Sequence, residues 1–382
     1  MTARDKIAVA ALQVSPVFMN KKETIEKYCA WIEEAGKQGI DLVVTPETGI
    51  PTYPYWRGSF GYTDPESARA WRETVIEYYE NSVRIPSPDT DTLCKAAKKA
   101  NTHCVIGIQE QDDRPGSATL YNTMLFISRN GEILGRHRKL IPTHQERFFW
   151  GSGDASDLRV FDTDIGRIGG LICFENHVTL FKAAMAIKGE EIHAAAWPGY
   201  WTYGGEKRNV RDMSGKLGPL HTCDQDCAVR EYAFETQTFV VSCGLYLPAD
   251  NIPDSFPFKA RTNAAWAVGG SCIANPFGVY LAEPVFNREA IVAAEIDMKD
   301  RIVAKNVFDC MGHYARWDVV SLNLREEGWE PVRYYNARER TLALDKLMEV
   351  AERHKLGPEK IEAIARELGL WTTRERAELS KA

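Results

Sequence analysis

From Lys6 to Asp297, short β-branched runs alternate with helical stretches, and no linker or low-complexity segment interrupts them. This alternation constrains the chain most, because strands and helices in turn bury both faces of a sheet only in an α/β architecture. The strand runs are Ile7 to Gln13, Asp41 to Thr45, His103 to Gln109, Tyr121 to Ser128, Glu132 to Arg138, Arg159 to Phe161, Ile168 to Cys173, Ile192 to Trp197, Phe239 to Ser242, Ser271 to Ala274 and Ile291 to Ile296. The helical stretches are Lys22 to Gly36, Ser67 to Tyr79, Thr90 to Lys99, Val178 to Lys188 and Asp224 to Thr236. Two joints, Arg129-Asn130-Gly131 and Thr163 to Gly166, are too short for a crossover, so they predict hairpins and hence mixed sheets. One large domain over residues 1–310 follows. Beyond it the chain turns polar and Arg-rich, with helical patterns from Arg338 to Lys355 and Pro358 to Leu368. Residues 311–382 are therefore expected to form an extension that packs on another part of the protein or on another subunit.

Charge and composition remove several classes of partner. Lys and Arg number 47 against 53 Asp and Glu, a net charge of −6, so the chain carries no basic footprint for nucleic acid. No window approaches the ~18 uninterrupted apolar residues of a membrane span. Met1 to Ile7 runs directly into a strand pattern without the apolar core of a signal peptide. The nine cysteines form no CxxC pair. A reduced, cytoplasmic protein is expected.

Three polar residues stand out against this apolar frame. Cys173 ends the strand run Ile168-Gly-Gly-Leu-Ile-Cys173 and precedes a helical pattern, which places it at a sharp strand-to-helix junction. A thiolate there is favoured by the positive helix end and can attack an electrophilic carbon; the plainer reading is a small buried hydrophobe. Glu47 lies just beyond Asp41-Leu-Val-Val-Thr-Pro46, where open α/β sheets present functional groups, although the same segment also reads as a turn. Lys139 closes Gly135-Arg-His-Arg-Lys139 and leads into a loop; it is either a solvated strand edge or a donor to a developing anion. Glu146 follows in a segment, Pro142 to Asp154, too aromatic and glycine-rich for an ordinary surface loop. The aromatics Tyr53, Trp56, Trp197 and Tyr200 flank these motifs and suit the wall of an apolar pocket, or plain core.

Together these pieces resemble the nitrilase superfamily, the carbon–nitrogen hydrolases, over about residues 5 to 310. The resemblance rests on Val44-Thr-Pro-Glu47, Arg138-Lys-Leu-Ile-Pro-Thr143 and Gly170-Leu-Ile-Cys-Phe-Glu175, with 92 residues from Glu47 to Lys139 and 34 from Lys139 to Cys173. The nitrilase branch is indicated by Pro51-Thr-Tyr-Pro-Tyr-Trp56, by Thr143 to Asp154, by Trp197-Pro-Gly-Tyr-Trp201 and by the long C-terminal extension. The chain departs from that branch where Ala155 follows Asp154 and where His177-Val-Thr follows Cys173-Phe-Glu-Asn.

The resemblance implies a four-layer αββα sandwich and a Glu47–Lys139–Cys173 triad acting on a small-molecule nitrile or amide through a thioimidate and a thioester. It gives Glu146 an orienting role and the backbone N–H of Phe174 a share in stabilising charge, and it requires no metal or organic cofactor. It also implies a homodimer or a larger spiral homo-oligomer, with residues after about 320 governing assembly. An amidase or N-carbamoyl hydrolase with the same triad is the nearest alternative. A non-catalytic filament or binding protein of this fold is more distant, because all three triad residue types are present. A metal site at His221-Thr-Cys223-Asp-Gln-Asp-Cys227 lacks a second ligand pair and reads as a helix start. No HExxH, GxSxG, GxGxxG or Walker motif occurs.

Overall fold

The computed structural model describes residues 5–59, 64–201, 224–262, 267–326, 328 and 346–367. Two compact units are present, residues 1–328 and 329–382. The boundary thus falls later than the change in composition near residue 310. In the second unit the described residues form a helix over 346–353 and another from Pro358–Glu367. Part of the expected Arg338 to Lys355 helix, and the segment from His221 to Cys223, lie outside the described residues.

The first unit is built on two six-stranded mixed sheets flanked by helices. The first sheet contains β1 (Lys6–Gln13), β2 (Leu42–Val44), β3 (His103–Gln111), β4 (Leu120–Ile127), β5 (Ile133–Arg138) and β12 (Ala290–Asp297). Its order is β12-β1-β2-β3-β4-β5. The second contains β6 (Phe161–Thr163), β7 (Gly166–Ile172), β8 (Ile192–Trp197), β9 (Phe239–Gly244), β10 (Gly269–Ala274) and β11 (Tyr280–Phe286), in the order β11-β10-β9-β8-β7-β6. In each sheet three central strands run parallel, β1-β2-β3 and β7-β8-β9, with antiparallel neighbours outside them. Both expected hairpins form, β4–β5 and β6–β7.

Strand periodicity explains the layering. In β1, Ile7, Val9 and Ala11 join the cluster that also holds Leu171, Ala195 and Val241 of the second sheet, while Ala10 and Leu12 join Ile25, Ile32 and Leu93 of the outer helices. The same alternation holds in β4, where Met124 and Phe126 face one way and Leu125 and Ile127 the other. A one-residue slip would exchange the two sets, and each buried Val, Leu or Ile is worth about 1.5–3 kcal/mol, so the register is strongly fixed. The outer helices on the first sheet are α1 (Lys21–Lys37) and α3 (Pro88–Ala100); α2 (Pro65–Glu80) lies between them in sequence. Asn20 caps α1 by accepting from the Glu23 N–H, and Ser87 with Thr90 forms a capping box on α3. On the second sheet, α4 (Thr179–Ile187) and α5 (Asp224–Thr236) contribute Ala184, Met185, Ala228 and Tyr232 to the core.

Two elements escape the sequence patterns. Strand β11 is half exposed and its pairing with β10 carries register shifts, so its apolar residues show no clean alternation. Helix α6 (Asp300–Val307) is a short, mostly exposed amphipathic turn within the polar stretch, and Ala304 is its buried residue. No helix among the described residues is long and apolar enough to cross a membrane.

Candidate active site

Glu47 follows the C-terminal end of β2, a parallel strand, and its loop crosses β3 closely. A Cβ at Gly107 would stand 1.9 Å from the Pro46 carbonyl oxygen, so only glycine at that position of β3 lets the loop pass. The loop is then tied across the sheets, for Glu47 N–H donates to the carbonyl of Trp197 at the end of β8, 3.3 Å away. Lys139 follows β5, and Cys173 follows β7 in a 3₁₀ turn, Cys173–His177, that leads to α4. Three non-glycine residues beside these motifs adopt left-handed backbone, Thr48 at φ 42°, His144 at φ 49° and Cys173 at φ 54°. Each such residue costs about 1–2 kcal/mol, and strain of this kind gathers where a side chain must be held at an angle ordinary turns do not provide.

These three turns bring four polar side chains together. Lys139 Nζ donates to Glu47 Oε1 and to Glu146 Oε2, both at 2.8 Å. Asn122 of β4 donates to the same Glu47 oxygen at 2.6 Å, while Glu47 Oε2 has no hydrogen-bond partner among the described residues. Glu146 also accepts from Tyr53 Oη at 2.6 Å and from Thr143 N–H at 2.7 Å. All of this is buried: the Lys139 and Glu47 side chains are 0% exposed and that of Glu146 is 2% exposed.

At such burial a lone cation would lose its proton, yet Lys139 keeps it. Burial draws its pKa down, but the carboxylates of Glu146 and Glu47, with a contribution from Cys173, raise it well above the usual lysine value. Glu47 moves the other way. Burial raises it, Lys139 pulls it back and Glu146 raises it again, so its carboxyl is pushed up to about 7. The cluster therefore holds a fixed cation beside a carboxylate that exchanges its proton near neutral pH. Such a carboxylate is suited to general base work.

A cavity of about 60 Å³ opens on this cluster, lined by Tyr53, Arg57, Thr143, His144, Glu146, Cys173, Phe174, Trp197, Pro198 and Tyr200. Of the aromatics expected at a pocket wall, Tyr53, Trp197 and Tyr200 line it. Trp56 does not. Its ring is wholly buried against Phe18, Tyr78 and Phe256, with centroids 5.2–5.6 Å apart, because the turn after Pro54 carries it into the interior of the aromatic cluster whose Tyr53 and Tyr200 reach the cavity. Its sequence neighbour Arg57 takes the place at the wall. A single charged residue closing an apolar, aromatic run was the available signal for it. Among the described residues no group of His, Cys, Asp and Glu is arranged to hold a metal.

A third carboxylate links the lysine and cysteine turns. Glu175 Oε1 accepts from Leu140 N–H at 2.7 Å, and Oε2 accepts from Ile172 N–H and His137 Nε2, each at 2.8 Å. It thus grips the residue after Lys139 and the residue before Cys173. Asn176 adds a further hold on the cysteine turn by donating to the carbonyls of Cys173 and Leu171. Asn176 in turn accepts from His193, which contacts buried Glu190 at 2.8 Å.

The carbon–nitrogen hydrolase family model matches residues 8–306. The chain belongs to the carbon–nitrogen hydrolase family. Among curated members of this family, it is 37% identical to an aliphatic nitrilase of Rhodococcus rhodochrous over 330 residues, 85% of this chain and 84% of that one. It is 34% identical to nitrilase 2 of Arabidopsis thaliana over 342 residues, 87% of this chain and 93% of the other. The solved structure of Saccharomyces cerevisiae Nit3, a member of branch 10 of the nitrilase superfamily, superimposes with a TM-score of 0.61 at 22% identity, covering 82% of this chain and 97% of Nit3. The carbon–nitrogen hydrolase fold thus accounts for the paired mixed sheets with helices on their outer faces.

Proposed function

We propose that this carbon–nitrogen hydrolase converts an organic nitrile to the carboxylic acid and ammonia, with Cys173 as nucleophile. The observation that carries the reading is the buried Lys139 held between Glu47 and Glu146, with Glu146 and a cysteine in left-handed backbone lining one cavity. The names of the relatives lend support. Glu47 takes the thiol proton, and the sulfur of Cys173 adds to the nitrile carbon while the nitrogen gains a proton, which yields a thioimidate. Lys139 and the Phe174 N–H stabilise charge on that nitrogen. Glu47 then directs a water onto the carbon, the C–N bond breaks, ammonia departs, and a thioester remains. A second water, deprotonated by Glu47, cleaves the C–S bond to give the acid and return the thiol.

The test is a panel of aliphatic, aromatic and arylacetonitriles given to purified protein, with acid, amide and ammonia measured. Acid and ammonia in equal amounts, both abolished in Cys173→Ala, are expected. Amide turnover far exceeding nitrile turnover would move the assignment to an amidase or N-carbamoyl hydrolase, since the same thiolate also attacks an amide carbonyl. Hydrolysis that persists in Cys173→Ala would overturn the mechanism.

A further inference from the structure

Arg57 is out of place in a pocket built only for an apolar group. It lines the same cavity as Cys173, and its guanidinium lies 5.1 Å above the Tyr53 ring and 5.6 Å from that of Tyr200. Among the described residues its hydrogen bond runs from Nη1 to Tyr200 Oη at 3.0 Å. No carboxylate among the described residues forms an ion pair with it. Elsewhere in this unit half-buried guanidiniums have such partners: Arg129 has Asp41 and Asp164, Arg138 has Glu110, and Arg301 has Glu191. Glu146, the carboxylate that lines the same pocket, forms no ion pair with Arg57 and accepts instead from Lys139, Tyr53 and the Thr143 N–H.

A guanidinium offers five N–H donors in a planar fork, and one accounts for Tyr200. The remaining donors, poorly hydrated in a confined aromatic site, match a carboxylate in two parallel hydrogen bonds. Arg57 and Cys173 line one small cavity of about 60 Å³, which suits a short substrate.

We propose that Arg57 is the anion-recognising residue of this pocket, and that the substrate is a short nitrile bearing a carboxylate, seated with its carboxylate on Arg57 and its nitrile carbon at Cys173. This deepens the nitrile reading and rests on it. The reaction is then −OOC–(CH2)n–C≡N plus two water molecules giving a dicarboxylate and one ammonium ion, with charge balanced at −1 on each side. The Tyr53 ring 5.1 Å from the guanidinium and the hydrogen bond to Tyr200 Oη restrain it at the wall, so the cation is pre-set before substrate arrives.

The experiment compares two substrates of the same length and branching, 3-cyanopropanoate and 4-methylpentanenitrile, which differ in charge. Wild type is expected to prefer the anion by about tenfold or more in kcat/KM. Arg57→Met should lose about 10- to 100-fold on 3-cyanopropanoate and less than about threefold on its neutral isostere, the range expected for removing hydrogen bonds to a charged group. Arg57→Lys, which keeps the charge but not the fork, should fall between them, and it serves if the Met variant folds poorly. Equal losses on both substrates, or none on either, would overturn the proposal and leave Arg57 as a prop for the aromatic wall. Calorimetric binding of 3-cyanopropanoate to Cys173→Ala, with and without Arg57→Met, separates the two readings. Arg57-dependent binding with no nitrile hydrolysed by wild type keeps the recognition site and removes the nitrilase reaction. Turnover of 4-methylpentanenitrile with no Arg57-dependent binding keeps the reaction and removes the recognition site.

Discussion

Replacing Glu175 with glutamine tests whether the turns of Lys139 and Cys173 are held to each other by one carboxylate. The amide retains an oxygen for Leu140 N–H. Its NH2 group then stands where Oε2 accepted from Ile172 N–H and His137 Nε2, both at 2.8 Å. A neutral His137 accepts from that NH2 and repairs one contact, but the Ile172 N–H faces another donor and is orphaned. An orphaned buried donor costs about 1–3 kcal/mol, and converting charge-assisted hydrogen bonds to neutral ones costs about 1 kcal/mol more. The expected destabilisation is therefore about 2–4 kcal/mol, read as a lower denaturant midpoint. Activity should suffer beyond stability, because the orphan adjoins the nucleophile. A displacement of about 1 Å there lowers kcat on the order of 100-fold, with KM little changed, in assays corrected for folded fraction. If kcat per folded molecule stays within about twofold of wild type while stability falls, the carboxylate holds the fold and not the alignment of lysine and cysteine.

The pH dependence of rate follows from Glu47, whose pKa is pushed up to about 7: below that value it is protonated and cannot accept the thiol proton. kcat/KM should fall about tenfold per pH unit below 7, and a flat profile from pH 5.5 to 8, a span set by that value, would refute its role as base. Stability has its own signature at His137. Burial lowers its pKa, but the charge and hydrogen bond of Glu175 raise it to a net value above the ordinary histidine range, while the opposite balance leaves Glu175 lowered. The raised histidine stabilises the fold below about pH 6.5 and loses that contribution as pH rises through its folded pKa; the lowered carboxylate contributes above about pH 4.5 and loses it as pH falls. His137→Gln should flatten the decline in denaturant midpoint above pH 6.5, and an unchanged slope would show that the decline arises elsewhere. Trp56→Ala should cost about 3–5 kcal/mol of stability, as for a buried core aromatic. A raised KM with stability retained would return Trp56 to the pocket wall. Finally, a chain ending at Gly328 is expected to form a smaller particle in light scattering than the full chain, and an unchanged size would remove residues after about 320 from assembly.

The parts legible from sequence were those with a local period or a local motif. The parallel strands announced themselves because both faces are buried, and β2, Leu42–Val44, is fully buried. Glu47 and Cys173 were readable because each follows such a strand, and Lys139 because it closes the basic run of the half-buried edge strand β5 at a loop. Glu175 ends the motif Gly170-Leu-Ile-Cys-Phe-Glu175, yet nothing in its neighbours tells that its carboxylate folds back to Leu140 N–H, 35 residues away. Trp56, read as pocket wall or core, and Arg57, for which the sequence reading made no assignment, were not separable for a related reason. One 3₁₀ turn, Arg57–Ser59, begins between them, and adjacent residues in such a turn diverge, so one aromatic run serves both a core and a wall. Edge elements such as β11 escape because half-exposed residues need not alternate.

The closure of the first sheet has a consequence for how the chain is made. Strand β1 is bracketed by β2 and by β12, and Lys6 forms an ion pair with Glu295, 289 residues away. During synthesis β1 can pair with β2 early, but its other edge, an apolar Ile7-Ala-Val-Ala-Ala-Leu12, stays open until almost the whole unit has left the ribosome. An open, apolar strand edge invites pairing with another chain. Nascent chains halted before residue 290 should therefore be prone to self-association, and late emergence of β12 is the event that seals the unit against its own neighbours.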